Sequence, residues 1–196
     1  MRYAQIRELD ISNGEGVGVA LFVQGCPFNP HCHNCFNPDT WDFNGGKEWT
    51  PEVEDKFIEL ASRPYIKRIS LLGGEPLADE NLDGVLHLVD RFRLSLPNKT
   101  IWLYTGYEVN LESYEILTIG KEYAKTRYEF TTTQPSRSNT ANFLRKSILN
   151  NVDVLVDGRY IDSQRDVNLK WRGSKNQRVI DIKQSLQKGK VTLWTE

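Results

Sequence analysis

Apolar positions along this chain fall into short runs that alternate with helical repeats. Val17 to Gln24 reads VGVALFVQ, rich in β-branched residues, and ends on Gly25-Cys26. Such a run predicts a buried strand that delivers Cys26 at its C-terminal end. The segment that follows, GCPFNPHCHNCFNPDTW, holds Pro27, Asn29, Pro30, Asn34, Asn37 and Pro38 and predicts a loop. Thr50-Pro51-Glu52 predicts a helix start, with Thr as N-cap, Pro at the first helical position and acids in the first turn. Val53, Phe57, Leu60 and Ala61 give that helix one apolar face. Ile66 to Leu72 predicts a second strand, running straight into Gly73-Gly74-Glu75-Pro76. Leu82, Val85, Leu86, Val89 and Phe92 mark a second helix over Asn81 to Leu94, and Thr100 to Tyr104 and Val152 to Val156 predict further strands, ending in Thr105-Gly106 and Asp157-Gly158. Strand, loop and helix in repetition predict right-handed βαβ units and a parallel sheet. Leu111 to Asn151 follows no period, and its polar, turn-rich stretch Thr131 to Asn142 predicts a surface excursion.

This pattern says where chemistry belongs. In α/β sheets ligands bind at the carboxyl ends of the strands. Those ends carry Cys26, GGEP, Thr105-Gly106 and Asp157-Gly158. Composition narrows the partners: 196 residues, 39% hydrophobic and 26% charged, make one globular domain. A formal charge of −1, with both signs interspersed, leaves no basic stripe, so nucleic acid is not an expected partner. No apolar run approaches the roughly 20 residues of a membrane span, and MRYAQIRELDI carries charges where a signal peptide needs an apolar core. A cytoplasmic location is therefore expected, without membrane association, where thiols stay reduced and serve metals or catalysis.

All three cysteines, Cys26, Cys32 and Cys35, lie in one C-x5-C-x2-C segment. They are read as buried small hydrophobes, as a structural Cys3His zinc site completed by His31 or His33, or as thiolates of a [4Fe–4S] cluster with one open iron. Soft thiolates suit zinc and iron–sulfur alike, so ligand type leaves the choice open. GGEP adds context: two glycines let backbone approach a ligand and Glu75 offers a carboxylate to an amine, although the same tetrapeptide also serves as a plain strand-to-helix turn.

The cysteine loop after one strand and GGEP after the next resemble the radical S-adenosylmethionine (SAM) superfamily, whose usual spacing is C-x3-C-x2-C; here PFNPH puts five residues between Cys26 and Cys32. The superfamily's aromatic before the last cysteine is here Asn34, with Phe36 following instead. A closer resemblance is to the activating proteins of anaerobic (class III) ribonucleoside-triphosphate reductase. It is carried by DISNGEGVGVALFVQGC, NCFNPDTWDFNGG, SLLGGEPL, TIWLYTGY, DVLVDGRY and RGSKNQRVID.

The resemblance implies a single α/β domain over residues 1–196, a partial parallel (β/α) barrel of the radical SAM type, with 111–151 an insertion atypical of the family. It implies one [4Fe–4S] cluster on Cys26, Cys32 and Cys35, and SAM held by Gly73, Gly74 and Glu75 at its methionine amine and by Asn34, Cys35 and Phe36 beside its adenosine. The implied reaction is reductive cleavage of SAM and abstraction of hydrogen from a glycine of the reductase, with no protein acid or base. With three cysteines there is no second cluster, so a reduced flavodoxin or ferredoxin is the expected electron donor. Other radical SAM enzymes and a non-catalytic zinc-binding module are the alternatives. Among the remaining residues, His87 and Trp102 are expected to be structural and Trp41 to cover the cysteine loop. Asn176-Gln177-Arg178 are expected either to bind ribose or the cofactor carboxylate or to anchor the last strand, and Asn13 and Glu15 to face the partner.

Overall fold

A computed structural model describes residues 1–110, 117–118, 124–125, 129–131 and 139–195. Its centre is a seven-stranded sheet. In chain order the strands and helices are β1 (Arg2–Asp10), β2 (Gly18–Val23), β3 (Lys47–Glu48), α1 (Pro51–Ser62), β4 (Arg68–Gly73), α2 (Leu82–Ser95), β5 (Thr100–Tyr104), β6 (Glu108–Asn110), β7 (Leu117–Thr118), β8 (Ala124–Lys125), β9 (Glu129–Thr131), α3 (Asn139–Asn151), β10 (Val154–Asp157), β11 (Arg178–Asp181) and α4 (Ile182–Lys188). The sheet runs β11-β10-β5-β4-β2-β1-β3, while β6 pairs with β9 and β7 with β8 in two small ladders of their own. Most of the expected insertion, including Thr132 to Ser138 of the expected surface excursion, lies outside the described residues, and its last part is helix α3.

The parallel core is the expected one. β2, β4, β5 and β10 are parallel neighbours, with Val23 opposite Gly73 and Leu71 opposite Leu103. The flanks correct the expectation of a wholly parallel sheet: β1, β3 and β11 run antiparallel, so the sheet is mixed and open rather than closed. Antiparallel neighbours need no crossover helix: β1 returns directly into β2, while β10 and β11 are joined by a long loop. β1 escapes the periodicity reading because RYAQIRELD, beside the two-residue edge strand β3, keeps most side chains half-exposed and leaves no continuous apolar run.

Alternation divides the sheet into two unlike faces. Leu21, Ile69, Leu71, Ile101, Leu103 and Leu155 join the main core, where α1, α2 and α3 bring Phe57, Val85, Phe92 and Ile148. The opposite face carries Ala20, Phe22 and Leu72 in one cluster and Trp102, Val154, Val156 and Val179 in another. Burying the first set stabilises each strand by roughly 1.5–3 kcal/mol per large side chain. The second set is covered by loops and by Trp171 and Trp194, which stack edge-on against Trp102. Trp102 is thus a buried strand residue as expected, on the face without helices. The helix boundaries follow the capping signals: the Thr50 hydroxyl accepts from the Val53 amide at 3.4 Å. In α2, Leu88 is buried while Leu86 is partly exposed.

Candidate functional site

The carboxyl ends of β2 and β4 are stitched together before any ligand is considered. The amides of Gly74 and Glu75 donate to the carbonyls of Val23 (2.9 Å) and Gly25 (2.7 Å), and the Gly25 and Cys26 amides donate to Thr40 (2.8 Å) and Trp41 (3.0 Å). Glycine is required where these chains meet. A Cβ on Gly74 would lie 2.2 Å from the Gly25 carbonyl oxygen, and Gly73, at φ +110°, would press on the backbone of Phe22 and Val23. The two loops predicted to carry chemistry are therefore one rigid unit.

Above this unit and over the helix-free face opens a cavity of about 530 Å³, within the usual range for a small-molecule site. Cys26, Cys32, Cys35, Gly73, Gly74 and Glu75 all line it, as does Phe36. Phe36 is held by the Tyr160 ring at 4.8 Å and by the Arg165 guanidinium. Asn34 is the predicted site residue that does not face the cavity. At φ +54°, a left-handed conformation that asparagine tolerates, it sends its amide to the Asp162 carboxylate at 3.0 Å. Asn34 therefore ties the cysteine loop to the segment after β10.

The thiols carry marks of ligands. The Asn37 amide donates to Cys35 Sγ at 3.4 Å, and Cys26 Sγ receives the Phe28 amide. Such N–H···S bonds suit thiolates that carry negative charge. Burial, with the Glu75 carboxyl and the two other thiols nearby, pushes Cys26 up to about 12, so its ionisation calls for a cation. Among the described residues, no three His, Cys, Asp or Glu side chains converge as ligands of a single ion. His31 lies flat on Trp41 with ring centroids 4.1 Å apart, and His33 is mostly exposed beside Asp162, so neither turns to the thiols to complete a Cys3His set. Trp41 covers the cysteine loop through that stack, as its sequence position suggested.

Glu75 is buried and its carboxylate is shared: the Leu77 amide (2.9 Å) and Thr105 hydroxyl (2.8 Å) reach Oε1, and the Gly106 amide (2.8 Å) reaches Oε2. Burial pushes its pKa up to about 7 against the pull of those donors and of Arg145. A cationic ligand group in the cavity would keep it ionised. Arg145 of α3, itself buried, donates to the Leu77 carbonyl at 2.9 Å and pairs with Asp79, so it braces the exit of the same loop.

Several contributors had no role assigned from the sequence. The segment after β10 supplies Arg159, Tyr160, Trp171 and Arg172 to the cavity, and the turn after β1 supplies Ser12 and Asn13. DVLVDGRY and RGSKNQRVID carried the resemblance without a role for Arg159, Tyr160 or Arg172, and Asn13, expected to face the partner, lines the cavity while Glu15 does not. Of the undecided trio, Gln177 lines the cavity but spends its amide on Gly158, Gly173 and Ser174. Asn176 bonds the Arg159 carbonyl and Arg178 pairs with Asp157, so these two anchor the last strand. His87 faces Glu54 at 3.2 Å on the helical side, away from the cavity.

Comparison with known proteins converges on the same segments. A family model described as a 4Fe-4S single cluster domain matches residues 12–180. A protein of Vibrio cholerae is 37% identical over 179 residues, covering 90% of this chain and 96% of its own. Proteins of Escherichia coli K12 (34% identical, 90% and 96% covered) and of Enterobacteria phage T4 (30%, 91% and 93%) are similar as well. All three are named anaerobic ribonucleoside-triphosphate reductase-activating protein.

Proposed function

Because the chain belongs to the family of anaerobic ribonucleoside-triphosphate reductase-activating proteins, we propose that it is a radical SAM activase that installs a glycyl radical in such a reductase. One observation carries this reading: the three thiols and the Gly73-Gly74-Glu75 loop line one cavity at the ends of adjacent parallel strands. In it, residues 1–196 act as one activase domain, 111–151 being an addition to the family pattern, and the open sheet is a partial barrel of the radical SAM type.

Cys26, Cys32 and Cys35 would hold one [4Fe–4S] cluster, leaving its fourth iron to the amino and carboxylate groups of SAM. When bound, cluster and SAM would supply the chemistry the side chains lack, reductive cleavage of SAM and abstraction of a glycine hydrogen. The chain's own groups bind and shield. With the Gly74 and Glu75 amides already bonded, the N–H groups of the SAM amine would meet carbonyl oxygens and the Glu75 carboxylate at this loop. Phe36, fixed by Tyr160 and Arg165, gives an apolar plane beside adenosine, and Asn34 and Cys35 border it through backbone. Phe22, Leu72 and Tyr104 form an apolar floor that keeps water from the reacting carbon. The helix-free side leaves room for a peptide loop of the reductase. Three cysteines suffice for one cluster, so the electron comes from an external donor such as a reduced flavodoxin or ferredoxin, in the cytoplasm.

The test is iron, sulfide and zinc analysis of anaerobically prepared protein, with electron paramagnetic resonance of the reduced sample before and after SAM. About four irons per chain, and a signal that changes with SAM, are expected. One zinc and no iron would overturn the reading.

A further inference from the structure

Phe36 stands in the cavity wall with its side chain 57% exposed, yet it is not loose. Tyr160 meets the ring at 4.8 Å and the Arg165 guanidinium lies over it at 5.6 Å, both from the segment after β10. A third support comes from backbone of the same segment. Gly173, which also lines the cavity, lies so close that a Cβ there would stand 2.7 Å from the Phe36 ring edge and 3.0 Å from the Tyr160 ring. Its φ is not in the left-handed range that calls for glycine at Gly25 and Gly73, so the demand at 173 comes from the two rings alone.

The backbone at 173 has no room to retreat. Gln177 Oε1 accepts from the Gly173 amide (2.9 Å) and the Ser174 amide (3.1 Å), Gln177 Nε2 donates to the Gly158 carbonyl (3.0 Å), and the Ser174 hydroxyl accepts from the Ile161 amide (3.2 Å). Two positions earlier, Trp171 is held at φ +60° with its ring edge-on against Trp102. That conformation is costly for a bulky residue and persists where the surroundings over-determine it, commonly at ligand sites. Tyr160 is tethered through its hydroxyl to Asp162 at 2.7 Å, so the open Phe36 ring is the part that yields to a group added at 173. An aromatic ring braced in this way and uncovered over half its surface matches a flat partner, and the flat group of SAM is its adenine. We propose that Gly173, fixed by Gln177, is a positioning residue for SAM: by admitting the Phe36 ring against its backbone it sets the plane on which the adenine stacks. The inference rests on the activase reading above.

A double-mutant cycle on the reconstituted protein tests this, with the equilibrium Kd for SAM as the readout. Gly173→Ala is expected to take up the parental amount of iron, to melt within a few degrees of the parent because the ring it displaces is already exposed, and to bind SAM about fivefold to tenfold more weakly, within the range of one base stacked on an aromatic ring. Phe36→Ala alone is expected to weaken SAM at least as much. Combining the two should cost nothing beyond Phe36→Ala, because the ring on which the added methyl group presses is gone. Additive losses would show that Gly173 acts on SAM by another route and overturn the proposal. Parental SAM affinity in either single variant would mean that the adenine does not use this plane, and a Gly173→Ala chain that takes up no iron would make the glycine a requirement of folding; each overturns it equally. A parent protein that holds no cluster or binds no SAM would sink the activase reading itself, a result visible before any variant is made.

Discussion

The Glu75 carboxylate accepts a hydrogen bond from the Gly106 amide at 2.8 Å, joining the loop after β4 to the loop after β5 across 31 positions of sequence. With the Thr105 hydroxyl and Leu77 amide on its other oxygen, it is a fastener between two strand ends as well as a candidate ligand for an amine. Three acceptor positions are used, and a carboxylate has about four. Bottom-up, this explains how a carboxylate is kept buried at a site meant for a cation: it is pre-bonded on one side and available on the other.

Glu75→Gln is therefore expected to act twice. The amide nitrogen must face either the Gly106 amide or the Thr105 and Leu77 donors, leaving a buried donor unbonded at about 1–3 kcal/mol. Thermal melting should show the loss, and SAM titration should show weaker binding beyond it. A variant that melts with the parent would refute the fastening role.

The glycines of the site and of the helices are not equivalent. Gly74→Ala puts a methyl group 2.2 Å from the Gly25 carbonyl oxygen, against backbone that cannot yield without moving Cys26. Gly84→Ala lies inside α2, where alanine is favoured over glycine by up to about 1 kcal/mol, but its methyl group meets the Met1 Cβ at 2.6 Å, a contact that only a shift of the first residue relieves, far from the cysteine loop. Reconstitution should give at least about a tenfold weaker SAM affinity, or about 1.4 kcal/mol, for the first, and parental affinity for the second. Equal behaviour of the two would refute the claim that close backbone approach builds the site.

Acid stability has a specific source. Burial alone would raise the Asp10 carboxyl, but the Arg68 guanidinium at 2.8 Å and the Asn13 amide at 3.0 Å outweigh it and hold the group below its ordinary 3.8. A depressed carboxyl contributes stability that is present above its unfolded pKa and lost as pH falls through the folded one. The melting temperature should fall as pH drops below about 4, and Asp10→Asn should flatten that slope. It should also cost about 3–5 kcal/mol at neutral pH by leaving Arg68 buried and unpaired. An unaltered acid slope in the variant would place the titration elsewhere.

How much of this was legible depends on whether the determinant is local. β2, α1, β4, α2 and β5 announce themselves because each buries a face and so writes a period into the sequence. The cysteine loop and GGEP were legible as chemistry because residue type and strand-end position coincide. β1 and β11 were not legible as antiparallel flanks: β1 carries mostly half-exposed residues, β11 is only four residues long, and direction leaves no periodic trace. Arg68, Arg145 and Tyr160 were invisible for another reason: each acts through partners 58 to 124 positions away, Asp10, Asp79 and Phe36, and no local pattern encodes such pairs. Asn34 shows a limit of position alone: it sits between two candidate ligands, and its left-handed backbone sends the side chain to Asp162.

That last contact carries a prediction about the cluster rather than the fold. Asp162 accepts from Asn34 at 3.0 Å and from the Tyr160 hydroxyl at 2.7 Å, with His33 3.7 Å away, so it clasps the segment between Cys32 and Cys35 to the loop after β10. Those donors, Tyr160 first, hold its carboxyl below the ordinary value. The clasp lies at the surface, where such interactions add little to global stability. Asp162→Ala should therefore melt within a few degrees of the parent. Yet the two thiols on either side of the clasp lose their tether, and thiolate ligands on a freer loop exchange and oxidise more readily. Exposure of the reconstituted variant to air should bleach the cluster absorbance severalfold faster than in the parent, with the initial iron content equal. Equal bleaching rates would mean that the three thiolates, not the clasp, set the geometry of the loop once the cluster is in place.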